Sequence, residues 1–345
     1  MKFVILGHLI GRNDIRKVFP LGRYLPLKLM EGFAFVLPDK RSFQVMSHFN
    51  PFGKAEGWIV GLALTPYQMM NSPKEKIRKK ILEAVLFSQN KLGADILMLG
   101  ALTAPLTSAG NWLINNPDIK MNITTGNTYT AAISIQAVEK AVSLSGINLF
   151  NKKLAVIGAA GVIGQAIVKY FNQKGIDLIL IERTEEKLER LKKCLEGDRY
   201  KMSVDIHSIK EADIVVTATC HPDALVRPEF LKKNAIVIDV AEPSDVPSNI
   251  NEVRPDVIAI DGGRVKWENI DVGMDVGTPK NVGFACMTEV ILQTLEERKE
   301  NYTGEVSISH LKETIEWGKK YGLTLADFTS FNKSIPSEKF KKVQK

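Results

Sequence analysis

The chain has 345 residues, 45% of them apolar and 25% charged, which allows two ordinary domains with a substantial core and excludes an intrinsically disordered chain. No run of about 18 or more apolar residues occurs, so no membrane-spanning helix is expected. Net charge is +7, with lysines gathered over residues 74–80 and in the tail 339–345. Solvated helix faces and a frayed end account for these clusters, and attraction to an acidic partner is the alternative.

The three cysteines (Cys194, Cys220, Cys286) are far apart and odd in number, and the five histidines form no ligand motif. Neither a disulfide framework nor a metal centre is expected, and the setting reads as reducing cytoplasm. Residues 1–10 are apolar but contain Gly7 and His8 and lack a basic start, so they read as a first strand rather than a secretory leader.

Residues 1–147 read as an α/β domain of their own. Apolar runs at 3–6, 58–64 and 95–100 are strands, and small residues at 101–110 form a loop. Ser72 is an N-cap with Pro73 in the first turn of a helix. Ile77, Ile81, Ala84, Val85, Phe87 and Ser88 recur on its buried side, with the lysines opposite. Residues 122–128 run from a strand into the turn Thr124, Thr125, Gly126, Asn127, Thr128, and a helix over 129–144 follows, ended by Gly146. Those hydroxyl and amide groups are either a plain N-cap or fixed donors to a ligand.

From residue 148 to 284 the pattern is that of a doubly wound parallel sheet. The apolar run 154–157 ends on Gly158, and Gly161 and Gly164 follow at three-residue spacing before an amphipathic helix. A strand, a glycine turn and a helix start describe a dinucleotide site, with Gly158, Ala160, Gly161, Val162, Ile163 and Gly164 around the pyrophosphate. The second strand, 177–181, leads into Glu182, Arg183 and Thr184. An acidic residue here holds a ribose 2′-OH and favours NAD, whereas an Arg accommodates the 2′-phosphate of NADP. Arg183, Thr184 and Lys187 tip the balance towards NADPH, and Glu182 keeps NAD open; a solvent-facing loop is the plain alternative for Arg183.

Further strands are expected at 200–204, 212–217, 235–239 and 257–260. Ala218 and Thr219 end one of them, Val240 begins a Pro-rich loop, and Gly262 and Gly263 follow the last, all where a cofactor crosses the carboxyl edge of a sheet. A glycine-punctuated loop over 262–283 precedes a helix over 284–297, with Cys286 in its first turn. There the dipole and free N–H groups favour thiolate, although a cysteine on an apolar helix is also a small core residue. Glu289, one turn later, either raises that thiol's pKa or is neutral to it. Cys194, in a lysine-rich helix, and Cys220, at a strand end, take the plain reading.

Gly7-His8-Leu9, the 124–128 turn, the Gly158/Gly161/Gly164 turn, Asp261-Gly262-Gly263, and Phe284-Ala285-Cys286 with Glu289 occur in the order found in one family. The chain resembles long-chain acyl-(acyl-carrier-protein) reductases of the cyanobacterial type as far as about residue 322. Its Rossmann part also looks like shikimate dehydrogenase and glutamyl-tRNA reductase, where an Asn-Arg-Thr turn holds NADP; here Glu182 stands in place of Asn. It departs from the first family at Thr65-Pro66-Tyr67, where that family reads Leu-Pro-Glu, so one carboxylate is absent.

The resemblance implies an N-terminal substrate domain (1–147), a Rossmann NADP domain (148–284) and a C-terminal helical segment (285–345) packing back on the cleft with a basic tail. It implies NADPH-dependent reduction of an acyl thioester, from acyl carrier protein or acyl-CoA, to a fatty aldehyde. Cys286 would be the nucleophile, and His8, Thr125, Gly126 and Asn127 would meet substrate. No nucleic-acid partner is expected. Two other readings are a small hydroxy-acid dehydrogenase using Lys120 and Asp118, and an NADP(H)-binding regulator without turnover.

Overall fold

The apolar runs become two mainly parallel sheets in a computed structural model that describes residues 1–9, 26–221 and 223–341. Ile10 of the expected first strand and residues 342–345 of the basic tail lie outside the described residues. The chain forms two units. The first comprises Met1–Gly126, Trp267–Gly277 and Cys286–Gly304; the second comprises Asn127–Lys266, Thr278–Ala285 and Glu305–Lys345. Neither is continuous in sequence.

In the first unit, strands β1 (Lys2–His8), β2 (Phe43–Phe49), β3 (Glu56–Leu62), β4 (Ile96–Leu99) and β5 (Asn122–Thr124) form one sheet in the order β2-β3-β1-β4-β5. All neighbours are parallel except β2, an unanticipated edge strand that runs antiparallel to β3 with a register shift between Val45 and Ser47. Helices α1 (Leu27–Val36), α2 (Pro66–Asn71) and α3 (Lys74–Asn90) accompany it. Val4, Leu6, Val60 and Leu62 share a buried cluster with Met69 of α2 and with Ile77, Ile81 and Val85 of α3.

Ser72 is not the N-cap of the lysine-rich helix. Thr65 opens a separate helix, α2, with a capping box to Gln68; Ser72 ends it, and Pro73 takes the cap position of α3. Nor are all the lysines of residues 74–80 solvated. Lys80 is fully buried, donating to the Leu37 carbonyl at 2.8 Å and pairing with Asp39 at 3.2 Å. The loop expected over 101–110 contains a helical turn, α4 (Thr103–Leu106), and α5 (Asn111–Ile114) follows it.

The second unit begins with α6 (Asn127–Ser145) and continues through β6 (Lys153–Ile157), α7 (Val162–Gln173), β7 (Asp177–Ile181), α8 (Glu185–Lys192), β8 (Tyr200–Ser203), β9 (Ile214–Thr217), β10 (Ile236–Asp239), α9 (Ile250–Val253) and β11 (Ile258–Asp261). The strands stand in the order β11-β10-β9-β6-β7-β8 and are all parallel, so the chain reverses direction across the sheet between β6 and β9. That is the doubly wound arrangement, with ligands expected at the carboxyl ends beside the switch point. The α/β class with a Rossmann sheet holds as read from the sequence. Cys194 lies beyond α8, because that helix stops at Lys192.

The glycine-rich stretch after β11 is not wholly irregular. Within it β12 (Arg264–Lys266) and β13 (Val282–Phe284) pair antiparallel, and α10 (Ala285–Leu295) follows directly. The chain then makes α11 (Ile308–Tyr321), a two-strand hairpin β14 (Thr329–Ser330) and β15 (Lys333–Ser334), and α12 (Ser337–Lys341). Asp261 fastens that hairpin: its carboxylate accepts from Thr329 Oγ1 (2.6 Å) and from the N–H groups of Phe331 and Asn332 (both 2.8 Å). Among the described residues no helix is long and apolar enough to cross a membrane.

Candidate active site

In the second unit, β6 delivers Gly158 with φ +78°, and a Cβ there would stand 2.6 Å from the Ala218 carbonyl oxygen. A Cβ at Gly164 would overlap the Gly158 carbonyl, so the helix lies flush against the turn. Gly161 occupies the N-cap of the 12-residue α7, and the first-turn N–H groups of a helix have no intrahelical acceptor. Ala160, Gly161, Val162 and Ile163 remain half-buried around them. This cradle, open to backbone approach and ending in helix N–H groups, fits a dinucleotide pyrophosphate.

Ala218 and Val240 continue the sheet's ladder, with N–H bonds of 2.9 Å each to the Ile157 and Thr217 carbonyls. Thr219 is engaged by Asp245, to which its hydroxyl donates at 2.8 Å.

The end of β7 departs from a simple cation cluster. Glu182 is buried, and Oε1 accepts from Ala160 N at 3.1 Å; Oε2 accepts from Arg183 N at 3.1 Å and pairs with Lys187 Nζ at 3.3 Å. Lys187 therefore neutralises Glu182 rather than standing as a second unpaired cation. Its position five residues on, one turn into α8, brings the ammonium back over the strand end. Arg183 and Thr184 are exposed, Thr184 caps α8 without a side-chain bond, and Arg183 forms no ion pair among the described residues.

A carboxylate group at the ends of β9 and β10 had no signal in the sequence. Asp239 accepts from the hydroxyls of Thr217 and Ser244 and from the N–H groups of Ala241, Asp245 and Val246, so it organises the whole Pro-rich loop. Burial pushes the Asp239 carboxyl up from its ordinary range despite these donors. Burial also raises Asp245 to about 6, against the Thr219 hydroxyl and with help from the nearby Asp239 charge. Glu242 is held up by burial and drawn back by Arg264, whose guanidinium lies 4.2 Å over the Phe284 ring.

In the first unit, β5 ends in Thr124 and the turn that follows lies against α10. Thr124 Oγ1 donates to Glu289 Oε1 at 2.5 Å, both side chains being fully buried. The same hydroxyl accepts the Gly126 N–H at 3.3 Å. Gly126 has φ +71°, and a Cβ there would overlap the Cα and Cβ of Cys286. Thr125 is tied to the Tyr302 carbonyl through its N–H at 3.1 Å. Cys286 is half-buried in the first turn of α10, which Trp267 steadies by donating from Nε1 to Thr288 Oγ1 at 2.8 Å.

The structure thus brings Gly126 to Cys286, while Thr125 is held by the Tyr302 carbonyl. Asn127 opens α6 and belongs to the second unit. Ala285, the residue before Cys286, donates its N–H to the Gly263 carbonyl at 2.8 Å. His8 ends β1, where Nδ1 donates to the Leu9 carbonyl at 2.8 Å and Nε2 accepts from Leu102 N at 3.2 Å. That pattern is the neutral imidazole, and burial accordingly lowers its pKa. Lys120 donates to the Pro117 carbonyl at 2.6 Å and makes no ion pair with Asp118 among the described residues.

Residues 139–262 match the family model described as shikimate / quinate 5-dehydrogenase. The long-chain acyl-[acyl-carrier-protein] reductase of Synechococcus elongatus is 29% identical over 239 residues, 65% of this chain and 68% of that protein. Glutamyl-tRNA reductase of Methanocaldococcus jannaschii is 29% identical over 64% of this chain and 55% of its own length. The chain therefore spans only about half of that second relative. These matches make it reductase-like. Among solved structures, the nucleotide-binding domain of glutamyl-tRNA reductase from Thermoplasma volcanium is 23% identical, with a TM-score of 0.29 over 38% of this chain and 84% of that one.

Proposed function

We propose that the protein reduces a long-chain acyl thioester, carried by acyl carrier protein or coenzyme A, to a fatty aldehyde with NADPH. The observation that carries the reading is Cys286 in the first turn of α10, with the Gly126 turn seated on its backbone and fastened through Thr124 to Glu289. The likeness to an acyl-[acyl-carrier-protein] reductase supports the choice of substrate.

The thiolate of Cys286 attacks the thioester carbonyl, a bond forms from Sγ to the acyl carbon, and the carrier thiolate leaves. The acyl group is then a thioester of the protein, and one hard reduction is divided into two easier steps. The position favours this because the first turn of a helix stabilises negative charge on sulfur and on the tetrahedral oxygen that follows. A reduced nicotinamide dinucleotide, when bound, supplies the hydride that releases aldehyde and restores the thiolate.

Gly158, Ala160, Gly161, Val162, Ile163 and Gly164 would hold the pyrophosphate, with Ala218, Thr219, Val240, Gly262 and Gly263 along the sheet edge. NADPH is favoured over NADH because Glu182 is turned inward onto its own donors while Arg183 stays exposed.

Purified protein incubated with a panel of acyl thioesters should gain the acyl mass on Cys286, and on adding NADPH should release aldehyde. Cys286→Ala should do neither. Full turnover by that variant would end the proposal. NADPH binding with no adduct from any thioester would favour a cofactor-sensing regulator instead.

A further inference from the structure

On the first unit, α1 and α2 each turn an apolar crest to solvent. Leu29 and Val36 of α1 are 63% and 69% exposed, and Tyr67 and Met70 of α2 are 67% and 47% exposed. Their inner faces are fastened. Met30 shares a buried cluster with Leu9 and Ala63, Met69 enters the main core, and Gln68 Nε2 donates to the Glu31 carbonyl at 2.8 Å. The Gln68–Glu31 bond joins the two helices that carry these exposed side chains. Large apolar side chains grouped in this way on a folded surface mark an interaction face.

Exposed cations stand on the elements beside the two helices. Lys40 and Arg41, just after α1, and Lys74, Lys76 and Lys79 of α3 are exposed. Lys76 Nζ sits 3.9 Å over the Phe35 ring of α1, which places the start of α3 against that helix. The carboxylates nearby are already paired, Asp39 with the buried Lys80 at 3.2 Å and Glu75 with Arg78 at 3.3 Å.

We propose that this face docks onto an anionic lipid bilayer. Single apolar side chains projecting from two helix crests suit insertion among acyl chains, and a tyrosine suits the headgroup boundary. Lysines on long stems reach anionic headgroups while their methylenes cover the apolar rim. The inference stands apart from the acyl chemistry proposed above, since docking is read without turnover, although a long-chain aldehyde would partition into the same phase.

The experiment is flotation of the whole protein with vesicles of phosphatidylglycerol mixed into phosphatidylcholine, and with phosphatidylcholine alone. The protein should float with the anionic vesicles, less so at high salt, and little with the neutral ones. Tyr67→Ser/Met70→Ser and Lys74→Glu/Lys79→Glu should each lower the bound fraction about tenfold, while Lys339→Glu/Lys341→Glu in α12 should not. Melting curves establish that the variants are folded; Leu29→Ser is the single substitution to use if a double variant is not.

Failure of the unaltered protein to float would overturn the proposal. So would flotation insensitive to the patch variants, or flotation lost with the α12 variant. Capture of an acidic carrier protein by the same residues, without flotation, would make the face a protein-docking site and equally overturn it.

Discussion

Thr124 and Glu289 meet through a 2.5 Å hydrogen bond although 165 residues separate them, and both side chains are fully buried. A hydroxyl donor to a buried carboxyl group is worth more than a surface contact, and losing it costs about 1–3 kcal/mol. Thr124→Val should therefore destabilise the first unit by that amount, and should slow acylation of Cys286 because the turn at Gly126 loses the Thr124 hydroxyl that accepts from its N–H. Thr124→Ser should restore both. Urea unfolding together with the rate of adduct formation checks this, and a Thr124→Val protein that acylates normally would remove the pair from any positioning role.

Gly126 has no space for a side chain against Cys286. At φ +71° a side chain costs about 1–2 kcal/mol in backbone strain alone, and overpacking against Cys286 adds a similar amount. Gly126→Ala should lower stability by about 2 kcal/mol or more and reduce adduct formation on Cys286 by about tenfold or more. An alanine variant of unchanged stability would show that the turn relaxes away from α10.

Arg183 should decide the choice of cofactor. Losing a charge-assisted contact to a 2′-phosphate costs about 1.5–3 kcal/mol, so Arg183→Ala should raise KM for NADPH by about tenfold or more and leave that for NADH nearly unchanged. Lys187→Ala should act differently, since it strips the partner from Glu182 rather than from the cofactor. Equal losses for the two cofactors in Arg183→Ala would argue against a 2′-phosphate site.

Asp245 supplies a pH dependence of definite sign. Its carboxyl titrates at about 6 in the folded chain because burial disfavours the charge, against an ordinary value of 3.8. The folded state therefore holds this proton when the unfolded state has released it, and stability from this group falls as pH rises from about 4 to about 6 and is constant above. Asp245→Asn cannot lose a proton there. The difference in melting temperature, Asp245→Asn minus the unaltered protein, should grow between pH 4 and 6 and then level off. A difference independent of pH would contradict the assignment.

The Rossmann sheet was legible because its strands are buried on both faces and read as short apolar runs, as in residues 154–157 and 214–217. Strand β2 was not, because an antiparallel edge strand with a register shift shows neither a continuous apolar run nor clean alternation. The glycine spacing at 158, 161 and 164 announced its turn locally. Glu182 announced only its own presence, and its inward turn onto Ala160 and Lys187 depends on a contact between two loops. The helix-start position of Cys286 was visible in the sequence. Its support was not, since nothing near residue 286 points to a threonine at 124. Lys80 misled for a related reason: helical periodicity puts it with the solvated lysines, and only the distant Asp39 and Leu37 make its burial tolerable.

The first unit takes strands from the beginning of the chain and its glutamate from near residue 300. During synthesis, Gly126 leaves the ribosome about 180 residues before Gly304, an interval of roughly 10–40 s at ordinary elongation rates. Throughout it the Thr124 hydroxyl awaits its carboxyl partner. A nascent chain stalled anywhere before α10 is an incomplete first unit, however well its own sheet has formed. No single cut in the gene yields either unit whole, and exchange of this unit with a relative must carry two or more separated segments together.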